Sequence, residues 1–188
     1  MDSKLLTLLD STADQLVQLS TAILPLSDSS YTRESYALPG STIGKHVRHI
    51  LDHFSLLFAA ISNNSQSLVN YSHRERNTAT QESVAGGIAS LQAMAELAHR
   101  LHGQTGITIR ADDAITVADT MPGGSDEEFV STKGRELWFC IHHMIHHNAI
   151  IASLMHEFGL HPPTQFAYAP STIKHKPPSH SPKKQQQQ

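Results

Sequence analysis

The sequence predicts an all-α fold, a four-helix bundle whose third and fourth helices are joined by a long crossover carrying a small β-hairpin. Three observations predict it. Four long stretches repeat apolar residues at the i, i+3, i+4 spacing of an amphipathic helix. Prolines and glycines punctuate the chain between them, at Pro25, Pro39-Gly40, Gly103 and Gly159. The 188 residues, 39% of them hydrophobic, suffice to close one core and require no second domain.

In the first stretch, Leu5, Leu9, Ala13, Leu16 and Ile23 share a face from about Asp2 to Leu24, and Pro25 ends the run. A polar loop closing on Pro39-Gly40 leads to Ser41 or Thr42, either of which can cap a second helix reaching about Ser62. Residues 63–77 are polar and loop-like. Thr78 and Gln81 have capping-box spacing for a third helix to about His102, with Val84, Ile88, Leu91, Ala95 and Ala98 as its core face. Gly86-Gly87 weakens its first turns, each glycine costing about 1 kcal/mol against alanine. After Gly103 and Gly106, Ile107-Thr108-Ile109-Arg110 and Ile115-Thr116-Val117 alternate like two short strands joined across Asp112-Asp113. Ser131 or Thr132 opens the fourth helix, which runs to about Phe158 and stops at Gly159, with Pro162-Pro163 beyond. The bundle domain is thus expected over residues 1–169. From Pro170 the Pro, Ser, His, Lys and Gln composition predicts a disordered tail over 170–188, with Phe166, Tyr168 and Ile173 available to pack across the bundle end.

Composition narrows the function. The N-terminus carries an acid at Asp2 where a signal peptide needs a basic stretch, and the longest apolar run, Leu56 to Ile61, is far too short to span a bilayer. A soluble, cytoplasmic protein without membrane partners is expected. Cys140 is the only cysteine, which excludes an internal disulfide and a thiolate metal cluster and fits a reducing compartment. The formal charge is -3, and Lys174, Lys176, Lys183 and Lys184 all lie in the tail, leaving the body more acidic than the whole. Such a body is poorly suited to phosphate backbones, so nucleic acid is not an expected partner.

Histidine is the anomaly, at 14 residues as abundant as Lys and Arg together. Half fall in two windows: His46, His49 and His53 on the second helix, and His142, His143, His146 and His147 on the fourth. Residues four apart on a helix sit about 5–6 Å apart at Cβ, close enough for two imidazoles to hold one ion. His143 and His147 have this spacing and continue a stripe through Glu136, Cys140, Ile150, Leu154 and Phe158; His142 and His146 form the competing pair, rotated by about 100°. On the second helix Thr42, His46, His49, His53, Leu56 and Leu57 merge histidines with core positions, and His46 and His53, flanking His49, are each open to a role as an extra ligand or as a partner that orients a ligand. Three imidazoles on facing helices would hold Zn, Ni or Fe as a divalent ion and leave a position for water or substrate. Single buried histidines are usually hydrogen-bonded core residues. Two core-facing windows at i,i+3 and i,i+4 are what shift the balance toward a metal. His99 and His102 end a helix, where histidine suits the carbonyls and the dipole, and His73, His156, His161, His175 and His180 fit the surface.

The segment Thr42-Ile43-Gly44-Lys45-His46-Val47-Arg48-His49, followed by His143-Met144-Ile145-His146-His147, resembles the DinB-like (YfiT-like) superfamily, and the resemblance spans residues 1–160. That family's pattern sets a helix-starting Ser or Thr seven residues before a ligand histidine, and an H-x-x-x-H pair near the end of the bundle. The resemblance therefore implies His49, His143 and His147 as the metal ligands. The stretch usually similar to His-His-Arg-Gly-Gln reads His146-His147-Asn148-Ala149-Ile150 here, without the Arg and the Gln. Tyr71 to Arg76, Gly134 to Leu137 and Ala169 to Ile173 resemble a little-characterised branch of the same superfamily.

What the resemblance implies about activity divides into two classes. One is a metal-dependent small-molecule enzyme, a transferase or hydrolase whose partner is a small substrate such as a low-molecular-weight thiol; a homodimer is compatible with it. In that class Arg74, Arg76 or Arg135 would hold an anionic group, Glu136 would support the site or act as a base, and Cys140 would approach the ion. For each the plainer role is at least as common: surface ion pairing for the arginines, a helix-start acid for Glu136, a buried inert thiol for Cys140. The other class is a non-catalytic metal-binding or stress-response protein, and its mark would be a filled fourth coordination position.

Overall fold

The first long helix, α1 (Ser3–Ile23), begins where Asp2 accepts a hydrogen bond from the Leu5 N–H at 2.8 Å. A computed structural model describes residues 2–62, 68–73, 78–103 and 109–175 of the chain. Within them the chain is mostly helical, with one small three-stranded sheet. A short helix, α2 (Asp28–Tyr31), follows α1 inside the loop that the polar composition predicts, capped by Ser27. It exists to seat Tyr31, which is fully buried and donates its hydroxyl to the Thr80 carbonyl at 2.7 Å.

Thr42 caps α3 (Ile43–Ser62), accepting from the Lys45 N–H at 3.0 Å. The sequence then passes through β1 (Leu68–Asn70) to a helix that departs from expectation. The single third helix predicted from Thr78 to His102 is two: α4 (Ala79–Glu82) and α5 (Val84–Gly103). Ser83 lies between them in extended conformation, and its Oγ accepts from the Gly86 N–H at 3.1 Å, so the serine restarts the helix. Thr78 does stand at an N-cap, but its side chain makes no cap bond. Gly87 has a packing reason: a Cβ there would lie 2.3 Å from the Tyr31 hydroxyl, and one at Gly44 would lie 2.8 Å from the same ring. Both helices approach Tyr31 more closely than an alanine allows.

The hairpin also differs from its prediction. Ile115-Thr116-Val117 do lie in a strand, β2 (Ala114–Thr120), but its antiparallel partner is β3 (Asp126–Thr132), downstream rather than upstream. Ile107 and Thr108 of the expected first strand lie outside the described residues. Arg110 to Asp113 form a turn instead, in which Asp113 accepts from the Arg110 N–H at 2.8 Å, while Met121 to Ser125 make the hairpin loop with Gly124 at φ 84°. β1 adds to β2 in parallel, giving the order β1-β2-β3.

Thr132 caps α6 (Lys133–Glu157), accepting from the Arg135 N–H at 3.2 Å, and Gly159 at φ 74° closes it. The four long helices pack as a ring, α1 against α5 and α6, and α3 against α5 and α6. Their shared core holds Leu9, Leu16, Leu19, Ile50, Phe54, Leu57, Leu91, Leu137, Met144 and Ile151. The expected tail opens on a short helix, α7 (Pro170–His175), whose Ser171 to His175 are exposed; residues 176–188 lie outside the described residues. Phe166 is buried, whereas Tyr168 and Ile173 are exposed. No helix among the described residues is long and apolar enough to cross a membrane.

Candidate metal centre

The α3–α6 interface carries the histidines because the two stripes face each other across the ring. His53 and His147 are buried, His46, His49 and His143 half-buried, and His142 and His146 exposed. The rotation of about 100° between the two α6 pairs thus turns His143 and His147 inward. His142 lies 4.3 Å from the Trp138 ring on the outer face.

Inside, ring nitrogens meet head-on. His143 Nε2 is 3.0 Å from His49 Nε2 and 3.1 Å from His147 Nε2. An imidazole nitrogen has one in-plane site, holding a proton or a lone pair, so His143 Nε2 cannot make a good hydrogen bond to both neighbours. A cation between the three satisfies all of them. Edges near 3 Å are also those that metal–nitrogen bonds of about 2.0–2.1 Å produce. His53 adds a fourth ring: its Nδ1 donates to the His49 carbonyl at 3.0 Å, which leaves Nε2 with a lone pair. One ligand atom each from His49, His53 and His143 lie within 4.8 Å of one another. The residues present therefore fit a transition metal by donor chemistry and by convergence.

Burial favours the neutral, ligating form of His147 and His46. The His147 imidazole is held down to about 2, first by burial and then by the neighbouring His143, His49, His46 and His146. His46 is lowered for the same first reason, with His146 adding to it. His46 lies beside the group rather than in it: its Nδ1 is 2.9 Å from His147 Nδ1 and its Nε2 is 2.7 Å from Ser41 Oγ.

A second polar cluster supports the far end of the site. Tyr71, just after β1, stacks on His53 with centroids 4.9 Å apart and planes at 13°. Its hydroxyl donates to Glu136 Oε2 at 3.1 Å and lies 3.6 Å from Cys140 Sγ. Glu136 is fully buried and also accepts from Ser131 and, at 2.7 Å, from Arg135. Its oxygens are occupied, so it braces Tyr71 behind His53. Burial pushes the Cys140 thiol up to about 12, the neutral, unreactive form. Arg135 lies over the Phe139 ring and is largely exposed. Arg74 and Arg76 lie outside the described residues. His102, expected at a helix end, pairs with Asp10 at 2.8 Å.

Sequence reasoning passes over Tyr71 and Ser41 as site residues. Neither has a spacing signal, since each reaches the histidines from a loop or strand end. The sequence does contain the residues for the bond between His46 and His147, but only the ring order of the helices brings them together.

The family described as the DinB family matches residues 1–180 of the chain. Among curated proteins, FK506-binding protein 5 of Rhizopus delemar is similar, 31% identical over 112 residues; that stretch is 58% of this chain and 28% of that protein. The chain thus spans under a third of the length of that relative. No solved structure matches it.

Proposed function

The chain belongs to the DinB family, and on that footing we propose that it is a four-helix bundle holding one divalent transition metal, Zn, Ni or Fe, through His49, His143 and His147, for use on a small molecule. The observation that carries this reading is the approach of His143 Nε2 to both His49 Nε2 and His147 Nε2, at 3.0 and 3.1 Å. When bound, the ion supplies Lewis acidity and lowers the pKa of a thiol or water beside it. The chain's own part is to keep His147 neutral by burial, to aim the three imidazoles from two rigid helices, and to fix His53 through Tyr71. A low-molecular-weight thiol is the proposed co-substrate and the chemistry that of a transferase. A reducing, cytoplasmic setting suits both that thiol and the free Cys140.

One observation favours the non-catalytic metal-binding reading: His53 brings a ring nitrogen within 4.8 Å of those of His49 and His143, so a fourth imidazole stands beside the proposed three. On a tetrahedral ion a filled fourth position leaves no place for a substrate. Cobalt substitution of protein expressed without an affinity tag tests both. The enzyme reading expects one Co²⁺ per chain and a new sulfur-to-cobalt absorption band when 2-mercaptoethanol is added. An unchanged spectrum would favour the closed, four-histidine site, and no bound cobalt would overturn the metal centre.

A further inference from the structure

Four side chains form a line of contacts from the surface to the proposed ion: Ser41 Oγ to His46 Nε2 at 2.7 Å, His46 Nδ1 to His147 Nδ1 at 2.9 Å, and His147 Nε2 to His143 Nε2 at 3.1 Å. If His147 ligates through Nε2, its only ring proton must be on Nδ1. That proton then points at His46 Nδ1, which must accept it, so the His46 proton sits on Nε2 and is donated to Ser41 Oγ. Every role in the line is fixed by the first. The opposite assignment, with His46 Nδ1 donating, would put the His147 proton on Nε2, where it faces His143 and blocks a metal.

We propose that His46 is a positioning residue that selects the metal-ready tautomer of His147, with Ser41 holding His46 in that role. The proposal rests on the metal-binding reading of the same histidines, and it assigns to His46 a function distinct from ligation. The line is anchored far from the histidines. The Ser41 carbonyl accepts from the Ser35 N–H at 2.9 Å, and Ser35 Oγ donates to Glu157 Oε2 at 2.7 Å, while the Tyr36 N–H donates to Glu157 Oε1 at 2.6 Å. Glu157 is the last residue of α6, the helix that carries His147. Both ends of the line are thus fixed to the same helix, which sets the distance across which His46 must reach.

The test compares His46→Leu, His46→Asn and Ser41→Ala with the parent, all without affinity tags. Removing a hydrogen-bond partner from a ligating histidine typically costs 10–100-fold in metal affinity. Competition with a chromophoric chelator should show a loss of about that size for Co²⁺ and Zn²⁺ in His46→Leu. His46→Asn, whose amide oxygen can accept in place of Nδ1, should recover most of it, and Ser41→Ala should fall between. Nitrogen-15 correlation spectra of the zinc-loaded parent should report the His147 proton on Nδ1. Equal affinity in parent and His46→Leu, or failure of His46→Asn to recover it, would overturn the assignment while leaving the metal centre standing, whereas a His147 proton on Nε2 would overturn the assignment and remove His147 from the ligands as well. A parent that binds no metal would remove both. Should His46→Leu fail to fold, the Ser41→Ala affinity and the parent spectrum decide.

Discussion

Between α1 and α5 the contact is made by Leu9, Leu16, Leu19 and Ile23 from one helix and Leu91, Ala95, Ala98 and Leu101 from the other, none more than 5% exposed. Between α3 and α6, in the same ring, the corresponding positions include His46, His49, His53, His143 and His147. The first interface is mostly buried hydrocarbon, whose burial stabilises at about 25 cal/mol per Å². The second surrounds five imidazoles with hydrogen bonds and ring stacking, and gains far less from burial because polar groups must be desolvated first. The difference teaches where the domain's stability and its chemistry lie: α1 and α5 hold the ring together so that α3 and α6 can present ligands to each other.

Cutting into the apolar interface should break the protein outright. Leu16→Ala removes a side chain with no exposure and is expected to lower stability by about 2–5 kcal/mol, read by urea unfolding of metal-free protein. Metal binding would fall only as the fold is lost. Next in size come the ligands, with the opposite signature. His143→Ala and His147→Ala should abolish stoichiometric metal while the melting temperature of the metal-free protein changes little. If either variant melts like Leu16→Ala, the histidines are part of the scaffold and the contrast fails.

The pH dependence sharpens the same contrast. His147 titrates at about 2 in the folded chain, well below the ordinary value of 6.5. Below pH 6.5 the unfolded chain binds a proton that the folded chain does not, so stability falls as pH drops from 7 toward 5. Metal-free parent should therefore lose melting temperature over that window, and His147→Ala should lose less. Equal slopes would show that burial of His147 is not the cause. The smallest effect is expected on the outer face: His142→Ala should leave both metal content and stability unchanged, because its side chain is exposed beside Trp138.

Much of this was readable in the sequence where a pattern is local. Asp2, Thr132 and Gly159 mark helix ends through their own side chains or backbone, and the apolar spacing finds all four long helices. The inward turn of His143 and His147 follows from their place among core residues. What was hidden depends on partners distant in sequence. The break at Ser83 arises because α4 must meet Tyr31 at Thr80, and the strand partner of β2 is chosen by the turn at Met121 to Ser125 rather than by the nearer Asp112-Asp113. Glu136 reads as a helix-start acid until Tyr71, Ser131 and Arg135 are seen around it. His46 reads in the sequence as either an extra ligand or a supporting partner of His49, and its contact with His147 is what favours the second.

The most direct test is anomalous diffraction from crystals of tag-free protein, recorded at the absorption edge of whichever metal copurifies. One peak is predicted between α3 and α6, at metal–nitrogen distances of about 2.0–2.1 Å from the Nε2 atoms of His49, His143 and His147. A peak on His142 and His146, or none between the two helices in protein that carries stoichiometric metal, would contradict it.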